Sequence, residues 1–141
     1  MLQVAAAGEH SILLAGPPGT GKTTMVEALH VLMPEPPPDL KGVEGPWRPK
    51  IAPHHSASSL ALLGGGVPPR PGEISRAHGG LLFLDEYLEF PARVQESLRE
   101  PTERGTIRLA RSHQVRSFAA EFQLVAATNL CPCGKLVPGR P

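Results

Sequence analysis

Short, mainly apolar runs mark three predicted strands in this chain. They are Ser11 to Ala15, Leu81 to Leu84 and Phe122 to Asn129. Strands of a parallel sheet read as near-continuous apolar runs because both of their faces are covered. We therefore predict that these runs are core strands, and we expect the first of them to be buried on both faces.

Apolar residues at steps of three and four predict helices around these strands. Leu2 to Ala7 is a helix-forming run that ends at Gly8, and Thr24 to Met33 is a longer one that ends before Pro34. The stripe that we expect to face the sheet consists of Met25, Ala28, Leu29 and Leu32. Farther along, Pro91 suits the first turn of a helix that Pro101 closes.

Outside these segments, the apolar residues follow a less regular pattern. The chain has 17 Pro and 15 Gly, and most of them lie between Pro34 and Gly80, so we expect loops there with a short strand at Arg48–Ala52 and a short helix at Ser56–Leu63 capped by Ser56. Alternating residues on both sides of Ser112-His113-Gln114 predict a β-hairpin from Thr106 to Phe118.

Composition limits the function classes only weakly. A length of 141 residues fits one domain, and a net charge of +1 gives no overall basic field, so any contact with nucleic acid must be local. The sequence has no apolar run of membrane-spanning length and no leader pattern, so we expect a cytoplasmic protein without a membrane partner. Cys131 and Cys133 are too close for an easy mutual disulfide.

A glycine-rich loop stands between the first strand and the second helix. It reads Gly16-Pro17-Pro18-Gly19-Thr20-Gly21-Lys22-Thr23, followed by Thr24. This spelling and context are those of a phosphate-binding P-loop, in which backbone N–H groups surround the anion. Lys22 adds a positive charge for the β- and γ-phosphates, and Thr23 supplies a hydroxyl for Mg²⁺. We therefore predict ATP binding; a plain strand-to-helix turn is the alternative.

Polar residues end the other two predicted strands. Asp85 and Glu86 follow Leu84, and Asn129 ends the last strand. Ligands bind at the carboxyl ends of strands in open α/β sheets. We predict that Asp85 holds Mg²⁺, that Glu86 polarises the water attacking the γ-phosphate and that Asn129 orients this water. A solvated acidic turn and a turn asparagine are the alternatives.

Two further groups carry weaker hypotheses. Arg108, Arg111 and Arg116 give the hairpin a local cluster of cations that suits DNA phosphates, and an ordinary solvated hairpin is the alternative. The adjacent His54 and His55 lack a third metal ligand nearby in the sequence, so solvent or interface contacts are the favoured interpretation.

Four segments make the chain resemble the magnesium-chelatase-like ComM (YifB) family of AAA+ ATPases. They are Ala5–Ser11, Ala52–Ser59, Pro69–Ser75, and Asn129 together with Cys131-Pro132-Cys133-Gly134. The resemblance implies an α/β P-loop NTPase fold of AAA+ type, a three-layer sandwich with a mostly parallel sheet. It assigns Walker A to 16–23, a helix-2 insert to about 48–78, Walker B to 81–86, a pre-sensor-1 hairpin to about 105–120 and the sensor 1 strand to 122–129.

The resemblance also implies a function. Members form homo-oligomeric rings, commonly hexamers, that hydrolyse ATP with Mg²⁺, and ComM-like members are associated with DNA branch migration in natural transformation. The arginine finger and the helical lid with sensor 2 have no counterpart here, so we expect a fragment of the core whose isolated form is a poor ATPase. A chelatase- or chaperone-type protein remodeller and a catalytically silent nucleotide-binding module are the alternatives.

Overall fold

A computed structural model describes residues 1–38, 40, 48–111 and 113–129. The helices are α1 (Leu2–Ala7), α2 (Lys22–Leu32), α3 (Ser59–Leu63), α4 (Ala92–Ser97) and α5 (Arg99–Arg104), with 3₁₀ turns at Ile74–Ala77 and Tyr87–Glu89. The strands are β1 (Ile12–Ala15), β2 (Lys50–Ile51), β3 (Gly64–Gly65), β4 (Arg70–Pro71), β5 (Leu81–Leu84), β6 (Thr106–Arg111), β7 (Gln114–Ala119) and β8 (Gln123–Thr128). Cys131 and Cys133 lie outside the described residues.

A four-stranded parallel sheet with the order β1-β8-β5-β2 forms the centre of the fold. In register, Ala15 pairs with Thr128, and Leu84 pairs with Ala126. Because all four strands run in the same direction, the loops after β1, β5 and β8 lie at one edge of the sheet. This topology brings the three predicted site segments together.

Two apolar cores cover the two faces of the sheet, which gives the molecule three layers. On one face, α1 and α2 pack through Ala6, Val26 and Leu29 against Leu81 and Phe83 of β5. On the other face, a second core contains alternate residues of β5 together with residues of α3, α4 and the hairpin, namely Leu62, Leu63, Leu82, Leu84, Val94, Leu98 and Ile107. Alternation along a buried strand explains how one apolar run serves both cores.

The expectation that β1 is buried on both faces is wrong. Ile12 and Leu14 pack toward α1 and α2, whereas Leu13 on the opposite face is 62% exposed. The second core includes residues of β5 but none of β1. An apolar run therefore does not guarantee two covered faces, because coverage depends on where the packing helices lie.

The sheet-facing stripe of α2 also differs from the expected one. Leu29 is buried as expected, but its buried partner is Val26, while Met25 and Leu32 are about two-fifths exposed. The helix begins at Lys22, directly after Gly21. Val26 and Leu29 lie three residues apart on one face of α2. Apolar residues also occur on its other faces, so the pattern alone did not determine which face packs on the sheet.

Two local expectations about helix ends are corrected. Ser58, not Ser56, caps α3, and its hydroxyl oxygen accepts a hydrogen bond from the Ala61 N–H at 3.1 Å. Pro101 does not close the helical segment but lies buried in the first turn of α5, where an intrahelical N–H is not needed. The segment ends instead at Gly105, which adopts a left-handed conformation with φ of 67°.

Buried polar groups connect the layers. The Gln123 amide donates to the backbone carbonyls of Ala5 and His10, which holds α1 against β8. Arg48 lies just before β2 and donates to the carbonyls of Pro34, Glu35 and Gly79. Even α2, which at 11 residues is the longest helix in the described ranges, is too short to span a membrane.

Candidate functional site

The glycine-rich loop connects β1 to α2 at the shared edge of the sheet. Gly19 and Gly21 have φ values of 78° and 79°, a region that other residues rarely adopt. The Thr20 hydroxyl donates to the Pro17 carbonyl at 2.8 Å and closes a tight turn. The two glycines therefore let the chain turn sharply between β1 and the N-terminus of α2.

Lys22 is folded back over this loop. Its ammonium donates to the Gly16 carbonyl at 2.8 Å, the Pro17 carbonyl at 3.0 Å and the Asn129 Oδ1 at 3.0 Å. An ammonium has three N–H donors and no acceptor, so the oxygen of the Asn129 amide must be the atom that faces it. The contact joins the loop after β1 to the end of β8.

Asp85 and Glu86 follow β5 directly. The Asp85 Oδ1 accepts a hydrogen bond from the Glu86 backbone N–H at 2.9 Å. Glu86 adopts φ of 53° and begins the 3₁₀ turn Tyr87–Glu89. A left-handed conformation is uncommon in a residue other than glycine, and such residues are often found at functional sites.

A cleft of about 420 Å³ brings most of the predicted site residues together. Its walls are Pro18, Gly19, Gly21, Lys22, Thr23, Asp85, Glu86 and Asn129. Gly16, Pro17 and Thr20 do not line the cleft. The carbonyls of Gly16 and Pro17 accept hydrogen bonds from Lys22, and the Thr20 hydroxyl donates to the Pro17 carbonyl. Thr24 lies in the first turn of α2 and is not part of the cleft lining.

His55 is a residue of this site that the sequence did not reveal. Its Nε2 lies 2.9 Å from the Glu86 Oε2, so it donates a hydrogen bond to the predicted catalytic carboxylate. No local pattern signals this contact, because the two residues are far apart in the sequence. The described residues contain no group of three or more His, Cys, Asp or Glu that is able to hold a metal.

Arg108 and Arg116 lie on the two strands of the predicted hairpin. Arg108 pairs in register with Ser117, and Arg116 pairs with Leu109. Since paired residues share a face and successive residues alternate, Arg108 and Arg116 lie on opposite faces. Both are exposed, whereas the side chain of Arg111 lies outside the described residues. Contact of these arginines with DNA stays a prediction, with Arg108 and Arg116 on opposite faces of the hairpin.

Sequence comparison finds one matching family and many relatives. The family described as "Magnesium chelatase, subunit ChlI" matches residues 1–140. The chain is 48% identical to "Competence protein ComM" of Haemophilus influenzae and 45% identical to "Uncharacterized protein YifB" of Escherichia coli, in each case over 94% of the chain. The chain spans 29% of the length of these two relatives.

Solved structures share the fold. The crystal structure of NtrX from Brucella abortus in complex with ADP has a TM-score of 0.68 at 18% identity, and the complex of NtrX with ATP has a TM-score of 0.65 at 19% identity. Each covers 92% of this chain, which corresponds to 27% and 28% of the respective NtrX chain. The fold is thus the P-loop NTPase fold of AAA+ type, as expected from the sequence.

Proposed function

Because the chain belongs to the magnesium chelatase subunit ChlI family, we propose that it is the ATP-binding and ATP-hydrolysing core of an AAA+ ring that acts on DNA. The observation that carries the proposal is the convergence of Lys22, Asp85, Glu86 and Asn129 on one cleft beside the glycine-rich loop. The DNA part rests on the name of the relative "Competence protein ComM" and on the exposed hairpin residues Arg108 and Arg116.

ATP binding uses the loop and Lys22. The first backbone N–H groups of α2 have no intrahelical partners, so they can donate to a phosphate together with the N–H groups of the loop. Lys22 exchanges its carbonyl and amide partners for phosphate oxygens when ATP enters. Since the ammonium already donates to three oxygen atoms of the protein, its net contribution to binding is the difference between these two sets of contacts.

Thr23 and Asp85 fit a magnesium ion. Both line the cleft and offer oxygen atoms, which Mg²⁺ prefers, and Mg²⁺ at nucleotide sites usually takes one or two protein ligands together with phosphates and waters. When it is bound together with ATP, the ion neutralises negative charge on the phosphates.

Glu86 and Asn129 act on the attacking water. Glu86 accepts a hydrogen bond from this water and makes it a better nucleophile, while Asn129 fixes its direction. Both side chains line the same cleft as the glycine-rich loop, which supports these two roles. Lys22 leaves Asn129 when it turns to the phosphates, which frees the Asn129 amide for this role.

The isolated 141-residue chain is expected to bind Mg·ATP weakly and to hydrolyse it at close to the background rate. In a ring, a neighbouring subunit presents an arginine to the γ-phosphate, a contact worth about 10³- to 10⁵-fold in rate in related phosphoryl-transfer systems. A phosphate-release assay on the purified chain and on the full-length gene product checks this. Robust, Glu86-dependent turnover by the isolated chain contradicts it.

Replacement of Arg108, Arg111 and Arg116 by alanine in the full-length protein is expected to weaken DNA binding and to flatten its salt dependence. A hairpin that projects into a ring pore presents both faces to a DNA backbone, and each lost phosphate contact lowers the salt slope by about 0.7 for single strands. Fluorescence anisotropy over a salt series measures both quantities.

The control for this triple variant removes the same charge elsewhere. Alanine at the exposed Arg70, Arg76 and Arg99 leaves the hairpin intact, and we expect unchanged DNA affinity. Equal loss in both triple variants, or unchanged affinity of the hairpin variant at low salt, counts against a pore role for the hairpin.

A protein remodeller is the second candidate function, favoured by the chelatase description of the matching family. It uses the same ATP chemistry but pushes on a polypeptide. Stimulation of ATP turnover by single-stranded or branched DNA separates the two, since the remodeller gains nothing from DNA. Absence of turnover in the full-length protein leaves only a silent nucleotide-binding module.

A further inference from the structure

The ammonium of Lys22 uses all of its hydrogen-bond donors within the protein. It donates to the carbonyls of Gly16 and Pro17 at 2.8 and 3.0 Å and to the Oδ1 of Asn129 at 3.0 Å. An ammonium has three N–H groups, and these contacts account for all of them. A phosphate oxygen therefore gains a hydrogen bond from Lys22 only by displacing one of these protein oxygens.

Of the three acceptor residues, Asn129 is the one that lines the cleft together with Lys22. Gly16 and Pro17 do not line it, and the Pro17 carbonyl has a second donor in the Thr20 hydroxyl at 2.8 Å. Asn129 is also exposed, so water can take the place of Lys22 at its amide oxygen. A ligand in the cleft that binds Lys22 therefore competes first with the Asn129 amide.

The backbone holds Asn129 beside the glycine-rich loop. β8 pairs with β1 so that Thr128 lies opposite Ala15, and the Gly16 N–H donates to the Thr128 carbonyl at 3.2 Å. The Thr128 hydroxyl donates to the Asn129 carbonyl at 3.2 Å. Because the main chain is fixed on both sides of the contact, the Asn129 amide stays within reach of Lys22.

ATP and ADP differ in what they offer to this contact. In the proposed function, Lys22 binds the β- and γ-phosphates, and Asn129 orients the water that attacks the γ-phosphate. The side of the ammonium that faces Asn129 is then the side that faces the γ-phosphate. ATP supplies an oxygen there, whereas ADP has no γ-phosphate and leaves this N–H to Asn129.

We propose that Asn129 determines the preference of the cleft for ATP over ADP by competing for Lys22. With ATP, the γ-phosphate takes this N–H, and Asn129 turns to the water. With ADP, the Asn129 amide keeps it and holds the ammonium away from the β-phosphate. The contact therefore lowers the affinity for the product ADP and favours its release. The inference rests on the proposed function, in which Lys22 binds the phosphates.

Loss of the Asn129 acceptor is expected to strengthen ADP binding. In the full-length protein we expect Asn129→Ala and Asn129→Leu to raise the affinity for ADP about 3- to 10-fold, the equivalent of one net hydrogen bond. The affinity for a non-hydrolysable ATP analogue should change less, because the γ-phosphate already displaces Asn129 in the parent. Isothermal titration calorimetry with Mg²⁺ and each nucleotide measures both affinities. A merely structural role predicts the opposite sign, since a disturbed loop binds both nucleotides less well.

Two controls accompany these variants. Gln3→Ala removes an exposed amide of α1 that does not line the cleft, and it should leave both affinities as in the parent. In a Lys22→Met background, Asn129→Ala should no longer raise the affinity for ADP, because the amide has no ammonium to compete for. Such a double-mutant cycle isolates the coupling between the two side chains.

The outcomes separate this inference from the proposed function. Unchanged or weakened ADP binding in both Asn129 variants overturns the role of Asn129 in nucleotide preference, and so does an equal gain for ADP and the analogue. A parent that binds neither nucleotide, or a Lys22→Met variant that binds both as well as the parent, overturns the proposed function itself.

A spectroscopic readout follows the Asn129 side chain directly. Asn129 is the only asparagine of the sequence, so selective nitrogen labelling identifies its side-chain NH₂ signals. In the 141-residue chain, we expect these signals to shift on titration with Mg·ATP and to shift much less with Mg·ADP. Equal shifts with the two nucleotides overturn the proposed competition.

Discussion

Glu86→Gln is expected to lower ATP turnover by about 10²- to 10⁴-fold, the usual contribution of a positioned general base, while ATP binding persists. The substitution keeps the size of the side chain and its ability to accept one hydrogen bond, but it removes the negative charge that polarises water. Thr23 and Asp85, which we assign to Mg²⁺, are unchanged. Steady-state phosphate release by the full-length protein, together with calorimetric ATP binding, measures both parts.

The matched control for this variant is Glu89→Gln. Glu89 is an exposed acid in the 3₁₀ turn that follows Glu86, so its replacement removes the same charge a few residues away. We expect parent-like turnover. Normal turnover in Glu86→Gln reassigns the catalytic role, and equal loss in both variants shows that turnover responds to local charge or folding rather than to one carboxylate.

Lys22→Ala is expected to weaken ATP binding by at least about 100-fold, since hydrogen bonds to charged groups each contribute about 1.5–3 kcal/mol and the lysine makes more than one to phosphate. Lys22→Met is a useful companion because it keeps the aliphatic stem against the loop. Isothermal titration calorimetry with Mg·ATP measures the affinity, and thermal unfolding verifies that each variant is folded.

Lys50→Ala serves as the control for loss of a lysine charge. Lys50 pairs with Glu27 of α2, and its hydrogen bond and charge lower the pKa of the Glu27 carboxyl. The pair is exposed to solvent and contributes little to stability. We expect ATP affinity close to that of the parent. Equal affinity of Lys22→Ala and the parent contradicts the assignment of Lys22 to the phosphates.

The parts of the site that the sequence predicted are those that depend on neighbours along the chain. The strand–loop–helix order around Lys22 and the acidic end of β5 are local features, and parallel strand direction then brings Asp85 and Asn129 to one edge. The β6–β7 hairpin was predictable for the same reason, because its pairing joins residues close in sequence.

The parts that the sequence missed depend on packing between distant segments. Exposure of Leu13 follows from the positions of helices that belong to other segments, and the buried face of α2 is set by what packs against Val26 and Leu29. The contact of His55 with Glu86 arises only when the segment after β2 meets the end of β5. The placement of Arg108 and Arg116 on opposite faces depends on the register of the hairpin. Once the register is known, the alternation of side chains along each strand determines it.

ATP is expected to bind at the cleft beside the glycine-rich loop of this chain. Backbone NMR of the 141-residue chain during titration with Mg·ATP locates the binding site. We expect shifts at residues 16–24 and around Asp85, Glu86 and Asn129, and we expect them to vanish in Lys22→Met. A second cleft of about 390 Å³, lined by Leu60, Arg93 and Leu109 among others, provides an internal comparison. Shifts confined to that cleft, or none at the loop, contradict the claim.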